Sequence, residues 1–419
     1  MNTIKVDNVV YSMDIADIHS GGSLFVELFQ GQDATHAFRS YHRRNFPHEK
    51  MKSYKLETIP ETIENDPDYM ELCEEIQKVL PTHKSFAPLQ YYAKCFFLLF
   101  ITFALEYHIH SNGYYNWYNM ILLGWLFSLV GLNIQHDANH GAISKHFWVN
   151  RIMGMSQNWI GGSAIDWMHQ HVVQHHIHCN NVEKDPDIAG NHLLRLNPLK
   201  PLIPHHLFQC FYFTSLLSLF GISYSVQSFI NIVLMKNNIP YSNAVQKYIP
   251  LERTLTGLSL SRWIILPFLF SESSLLYTYF NVILMFSVGG FYLSFFFILS
   301  HNYQDVLQYS NDTKSFGFLK KQVLTSSNVG GEWLAFLNGG LNYQIEHHLF
   351  PRINHSHYPF IAPYVEAFCK KKDIQYVHFP TIKENYLSCM YHLLIMGTNY
   401  KPPNYIEKRD KDKDKEKND

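Results

Sequence analysis

The sequence predicts an all-α integral membrane protein. About four transmembrane helices form two hairpins, a cytosolic helical cap holds a histidine-rich site, and a small α+β segment stands at the N-terminus. Three observations carry this expectation. First, apolar residues make up 47% of the 419 and aromatics 16%, and they are gathered into runs close to the roughly 20 residues that a spanning helix needs. Second, three histidine clusters each adjoin such a run: His136-Asp-Ala-Asn-His140, His171-Val-Val-Gln-His175-His176, and Gln344-Ile-Glu-His347-His348. Third, the turns inside both predicted hairpins carry no Lys or Arg, whereas the flanking regions carry several. By the positive-inside rule, all the histidine groups then share the cytosolic side.

Composition removes several classes of function. A formal charge of -1 gives no bulk electrostatic case for nucleic acid. The six cysteines (Cys73, Cys95, Cys179, Cys210, Cys369 and Cys389) lack paired spacing, which argues against a disulfide framework and against a Cys-type zinc site. No basic start followed by an apolar core is present, so insertion is expected to use the internal spans rather than a cleaved signal peptide.

In chain order, residues 1–50 read as a small polar unit. Val9-Val10-Tyr11 alternates as a strand, His19-Ser20-Gly21-Gly22 makes a turn, and Gly31–Thr35 leads into a helix that carries Phe38 and ends near His42. Residues 51–90 form an amphipathic connector, with a surface helix over Tyr69–Leu80 closed by Pro81. The membrane portion is expected over 91–400. Its first hairpin pairs Tyr92–Ile109 with Trp117–Ile134 across Ser111-Asn-Gly113. His205–Met235 is apolar but interrupted by Ser, Gly221 and Gln227, which predicts a re-entrant or membrane-surface helix. A second hairpin has a weak arm at Trp263–Tyr277, with Pro267 and Glu272, and a strong arm at Thr278–Ser300 that delivers His301 to the cytosolic face. The alternating charges from Lys408 predict a disordered tail within 401–419.

The chemistry follows from residue type and spacing. Residues four apart share a helix face, so His136/His140 and His171/His175 can each aim two imidazoles at one point. Neutral imidazole binds zinc, copper, iron and nickel, and three clusters offer more ligands than one zinc needs. His146, His169, His178, His205 and His206 lie nearby and are read as non-ligands.

The stretch Asn338-Gly-Gly-Leu-Asn-Tyr-Gln-Ile-Glu-His-His-Leu-Phe-Pro351, taken with the two upstream clusters, resembles the membrane fatty acid desaturases of the front-end type, over about residues 90 to 400. In that family Gln stands where other desaturases have His in the third box, as Gln344 does here. The resemblance implies two iron ions held by His136, His140, His171, His175, His176, His301, His347 and His348. Gln344 takes an orienting role, and Asp137 and Glu346 are candidate hydrogen-bond partners of the ligand histidines, with plain exposure to the cytosol as the equal alternative. It also implies an endoplasmic reticulum, multi-pass location with a cytosol-facing site. The substrate would be a fatty acyl-CoA or acyl-phospholipid, and the electrons would come from cytochrome b5 and its NADH-dependent reductase. The N-terminal unit resembles the second half of a cytochrome b5 haem domain, with His19 and His42 matching the haem ligands. Ser20 replaces the expected proline and few residues precede His19, so weak or absent binding of haem b is expected, with separate cytochrome b5 donating instead.

Two other functions remain open to the sequence. One is a sphingolipid long-chain-base desaturase or lipid hydroxylase using the same di-iron site. The other is a non-enzymatic histidine-rich metal transporter, which would place ionisable groups at the bilayer midplane rather than at span ends.

Overall fold

The apolar runs become long helices whose ends are set by local chemistry. In the computed structural model, which describes residues 2–43, 46–60, 66–190, 192–235, 243–311 and 316–400, the first is Leu89–Asn112. It starts after Pro88 and stops at Gly113, whose φ of 66° places it in the left-handed region that glycine enters without strain. Trp117–Val130 follows, begun by Asn116, whose side chain accepts a hydrogen bond from the Asn119 amide. The chain then widens into a π-helical turn at Gly131–Gln135 before His136–Asn139. Ser274 caps Leu275–His301 by accepting from the Tyr277 amide.

Among the described residues, three helices are long and apolar enough to cross a membrane, or four if the pair Pro204–Leu217 and Phe220–Val233, bent by 71°, is one span. Ile249–Phe270, which contains the start of the expected weak arm, is not among them; it carries Glu252, Arg253 and Arg262. The helix Leu89–Asn112 turns Phe96, Phe97, Phe100, Phe103 and Tyr107 outward and leaves them exposed, as a lipid-facing surface does. The helix Trp117–Asn139 is the more enclosed, and it crosses Leu275–His301 at glycines. A Cβ on Gly289 would meet the Gly124 carbonyl oxygen at 2.8 Å, so the crossing depends on small residues.

Two polar layers flank these helices. At the N-terminus, Thr3–Val6 and Val9–Ser12 pair antiparallel through a turn at Asp7 and Asn8, both with positive φ, and Lys55–Thr58 adds a third strand. The helix Thr35–His42 lies where the sequence places it. This unit is not an appendage: Leu28, Phe29 and Phe38 share one core with Met168, Val172, Ile232 and Ile249 of the main body. Next to this unit, and joined to it by Arg43 donating to the Leu80 carbonyl at 3.0 Å, Pro67–Val79 buries Tyr69, Leu72, Cys73 and Ile76 in a core with Leu349, Phe350 and Phe368. The Tyr69 hydroxyl donates to the Leu349 carbonyl at 2.8 Å and so fixes the end of the short histidine helix Gln344–Leu349. The expected tail lies outside the described residues.

Gly289→Val should place methyl groups against the Gly124 backbone and cost about 1–3 kcal/mol of overpacking. The thermal midpoint of the purified protein in detergent should fall. Gly257→Ala, where the new Cβ meets nothing nearer than 3.9 Å, should leave it unchanged or raise it.

Candidate metal centre

Four segments far apart in sequence converge on one buried site. His136, His140, His171 and His347 offer ring nitrogens all within 4.8 Å of one another, and His175, Cys179, His301 and His348 form a second such group beside them. The adjacent pair His347 and His348 joins the two, because neighbouring residues on one helix turn point in different directions.

The π-helical segment Met168–His175 explains the division. The expectation that His171 and His175 aim at one point assumes α-helical pitch, and the structure corrects it. In the wider turn the partner of His171 is His176, five residues on, with their Nε2 atoms 3.1 Å apart, while His175 turns to the second group. His176 Nε2 also lies 3.0 Å from His347 Nε2, and His348 Nε2 lies 3.2 Å from His301 Nε2. Ligands around one ion at metal–nitrogen distances of ~2.05 Å in a tetrahedron are about 3.3 Å apart. Three Nε2 atoms that meet at such distances have too few protons to satisfy one another, so the set fits a cation at their centre.

Five of the Nδ1 atoms are engaged elsewhere, while those of His136 and His176 are buried with no hydrogen-bond partner. His175 Nδ1 donates to Asp185 at 3.1 Å, His348 Nδ1 to Gln322 Oε1 at 2.9 Å, and His301 Nδ1 to the Thr325 carbonyl at 2.8 Å. His347 Nδ1 lies 3.2 Å from the Tyr358 hydroxyl, and His140 Nδ1 lies 3.0 Å from the Tyr41 hydroxyl. The acceptor-only partners of His175, His301 and His348 hold the proton on Nδ1 and leave Nε2 bare for a metal. Indeed, His140 Nε2 and both nitrogens of His136 are buried with no hydrogen-bond partner. Burial holds His140, His171, His176, His347 and His348 well below the usual histidine pKa, which keeps them neutral ligands. Burial also works to discharge His175, but Asp185 and Asp187 overcome it and raise the ring to about 9. Cys179 approaches His301 from the Nδ1 side, at 3.3 Å, away from the nitrogen that faces His348.

Other expected roles are redistributed. Glu346 touches no ligand histidine; it accepts from Asn328 at 2.7 Å and from the Tyr376 hydroxyl at 2.8 Å, and burial pushes it up to about 7. Its helix turns it toward Asn328 and Tyr376 rather than toward the histidine rings. Asp137 is equally buried and does not face the cytosol: it accepts from Asn354 at 2.6 Å and from His355 Nδ1 at 2.8 Å, and stands 3.7 Å from His136 Nδ1. Gln344 is buried with Oε1 unpartnered on the wall of a cavity of about 100 Å³ that also reaches His136, His171 and His301. His146, His169, His178, His205 and His206 join neither ring-nitrogen group among the described residues. His19 and His42 do come together, with ring centroids 6.0 Å apart, and their Nδ1 atoms donate to the carbonyls of Gly22 and Phe38 at 2.8 and 2.9 Å. Sequence reasoning missed Tyr41, Gln322, Asp185, Asp187 and Tyr358, because only tertiary contact brings them to the rings they orient.

Comparison with known proteins agrees with this geometry. The fatty acid desaturase family model matches residues 113–380. The chain belongs to the fatty acid desaturase family. It is similar to an acyl-lipid (7-3)-desaturase of Rebecca salina, 40% identical over 94% of this chain and 90% of that protein. A protein of the same name from Diacronema lutheri is 37% identical over 94% and 90%. The Delta(5) fatty acid desaturase A of Dictyostelium discoideum is 27% identical over 97% and 92%. In this desaturase the matched region contains all three histidine clusters and His301.

Asp185→Asn should leave the protein in the membrane but weaken metal retention about 10–100-fold, as losses of ligand-orienting partners do. Tyr41→Phe should act in the same direction more mildly. Metal analysis of purified protein after graded chelation measures both.

Proposed function

We propose that this protein is a front-end desaturase that inserts a cis double bond into a polyunsaturated acyl chain carried on a lipid. The carrying observation is the pair of imidazole groups that meet beside a cavity whose wall is mostly apolar, with Gln135, Gln157, Gln170 and Asp187 also on it. Leu132, Phe220, Leu293, Phe297 and Leu341 line that cavity, and His136, His171, His175 and His301 close one side of it. The names of the similar proteins, acyl-lipid (7-3)-desaturase above all, support a lipid-borne acyl group and a regiochemistry set near an existing double bond.

The residues divide the work. His136, His140, His171, His176 and His347 hold one iron, and His175, His301 and His348 hold the other, a reading supported by donor type and family. Bound there with O2 and electrons, iron supplies the oxidising power that an unactivated methylene requires, since such a carbon has no acidic proton for a base to take. Asp185, Gln322, Tyr41 and Tyr358 hold the rings on aim. The apolar wall excludes water and straightens the acyl chain past the histidines, while the amide of Gln344 and the hydroxyl of Tyr224 give the wall polar atoms without protein partners. A polarisable double bond is a suitable neighbour for such atoms, which favours an unsaturated chain over a saturated one.

Electron supply belongs to the same reading. Cytochrome b5 with its NADH-dependent reductase is the expected donor at the cytosolic face of the endoplasmic reticulum. His19 and His42, whose ring centroids approach to 6.0 Å, would be the residues to hold a haem, which would supply one-electron transfer; that approach favours binding over the weak or absent binding expected from Ser20 and the short stretch before His19.

Expression in a yeast that lacks polyunsaturates, fed single fatty acids, tests the assignment. Polyunsaturated chains should gain one double bond on the carboxyl side of an existing one, and stearate should be a poor substrate; the reverse preference rejects the front-end reading. His348→Ala should abolish product. Active protein should contain about two irons per chain, and zinc alone in an active preparation would reject the di-iron assignment. Leu341→Trp should fill the cavity and cut conversion at least about ten-fold while iron content stays constant.

A further inference from the structure

A second cavity, of about 330 Å³, lies away from the acyl slot, between the N-terminal unit and the main body. This volume is within the range of small-molecule and cofactor sites. Its floor is hydrocarbon, from Ile15, Phe25, Phe29 and Phe38, and His19 and His42 stand on its wall. The main body contributes Lys145 and Arg352, the latter four residues beyond His348.

Arg352 is the unusual element. Its guanidinium lies over the Phe86 ring, 5.3 Å from the centroid, and forms no hydrogen bond or ion pair among the described residues. Half-buried at the cavity edge, the guanidinium keeps its planar fork of donors free for a carboxylate. An apolar floor, two imidazoles with free Nε2 atoms and a cation at the rim together describe a flat, iron-bearing macrocycle with acidic substituents.

We propose that this cavity is a haem site completed by the catalytic body, with Arg352 binding a haem propionate. The inference rests on the reading of His19 and His42 as axial ligands and adds a partner from outside the N-terminal unit. The haem is then held by two parts of the chain at once, and Tyr41, adjacent to His42, reaches His140 of the metal centre.

The test uses the full-length protein in detergent, supplied with haem. The native protein should take up one haem with a bis-imidazole spectrum. Haem dimethyl ester, which lacks the propionate charges, should bind it about ten-fold more weakly, the loss expected for one charge-assisted hydrogen-bonded pair. Arg352→Gln should release haem to apomyoglobin about ten-fold faster, lower the haem midpoint potential and bind haem and its ester alike. Arg352→Lys should restore most of the retention. Equal binding of haem and ester by the native protein overturns the proposal even if Arg352→Gln does not fold. An Arg352→Gln protein with unchanged haem release but a raised KM for the acyl substrate also overturns it, and places the acyl headgroup at Arg352 instead. Failure of the native protein to take up haem overturns both this proposal and the haem reading. Product formation with added cytochrome b5 in that case leaves the desaturase reading standing.

Discussion

The meeting of bare imidazole nitrogens at about 3 Å is the constraint on which the rest of this structure depends. Neutral rings that present lone pairs to one another in a water-excluding interior are unfavourable until a cation takes their place in the middle. Everything around them serves that contact. The wide turns at Gly131–Gln135 and Met168–His175 bring rings into register that an α-helix would separate. Five of the Nδ1 atoms are occupied, by a carboxylate, an amide, a carbonyl and two phenols. The carboxylate, the amide oxygen and the carbonyl can only accept and so impose one tautomer, while the two phenols fix ring orientation.

The same constraint accounts for the seating of the N-terminal unit. It shares a hydrophobic core with the helices that carry the second histidine cluster, ties Glu27 to Lys247, and sends Tyr41 to a metal-facing ring. A tether free to swing would lose that phenol–imidazole contact on every excursion. Shared core packing favours one docked position, because separation would expose Leu28 and Phe38 to water.

Much of this was legible in the sequence, and the limits were physical. The apolar runs and the histidine clusters stood out because lipid burial demands long uninterrupted stretches and metal binding demands rare, clustered residues. The helix that carries Phe38 and ends at His42 was likewise local, and it lies where expected. The pairing of His171 with His176 was not legible, since residue spacing is converted into direction only through an assumed pitch, and the pitch here is not that of an α-helix. Asp185, Gln322 and Tyr358 were invisible for another reason. Polar residues scattered through the chain have no periodicity, and only the folded backbone reveals which ring each one reaches. Glu346 misled because it stands next to His347 in sequence, yet its helix turns it toward Asn328 and Tyr376.

The distribution of the metal-facing histidines along the chain also orders the birth of the protein. Those rings come from residues 136–140, 171–176, 301 and 347–348, so neither nitrogen group is complete until the ribosome has passed the last pair and every intervening span has entered the bilayer. A nascent chain therefore exposes partial sets of imidazoles that bind an ion weakly and reversibly. Tight capture waits for the final helix turn, and closing loops of such length is costly before the ion rewards it. An ion held by these groups would consequently enter late, after the spans have inserted, and would act as the clasp that locks already inserted helices into their working arrangement.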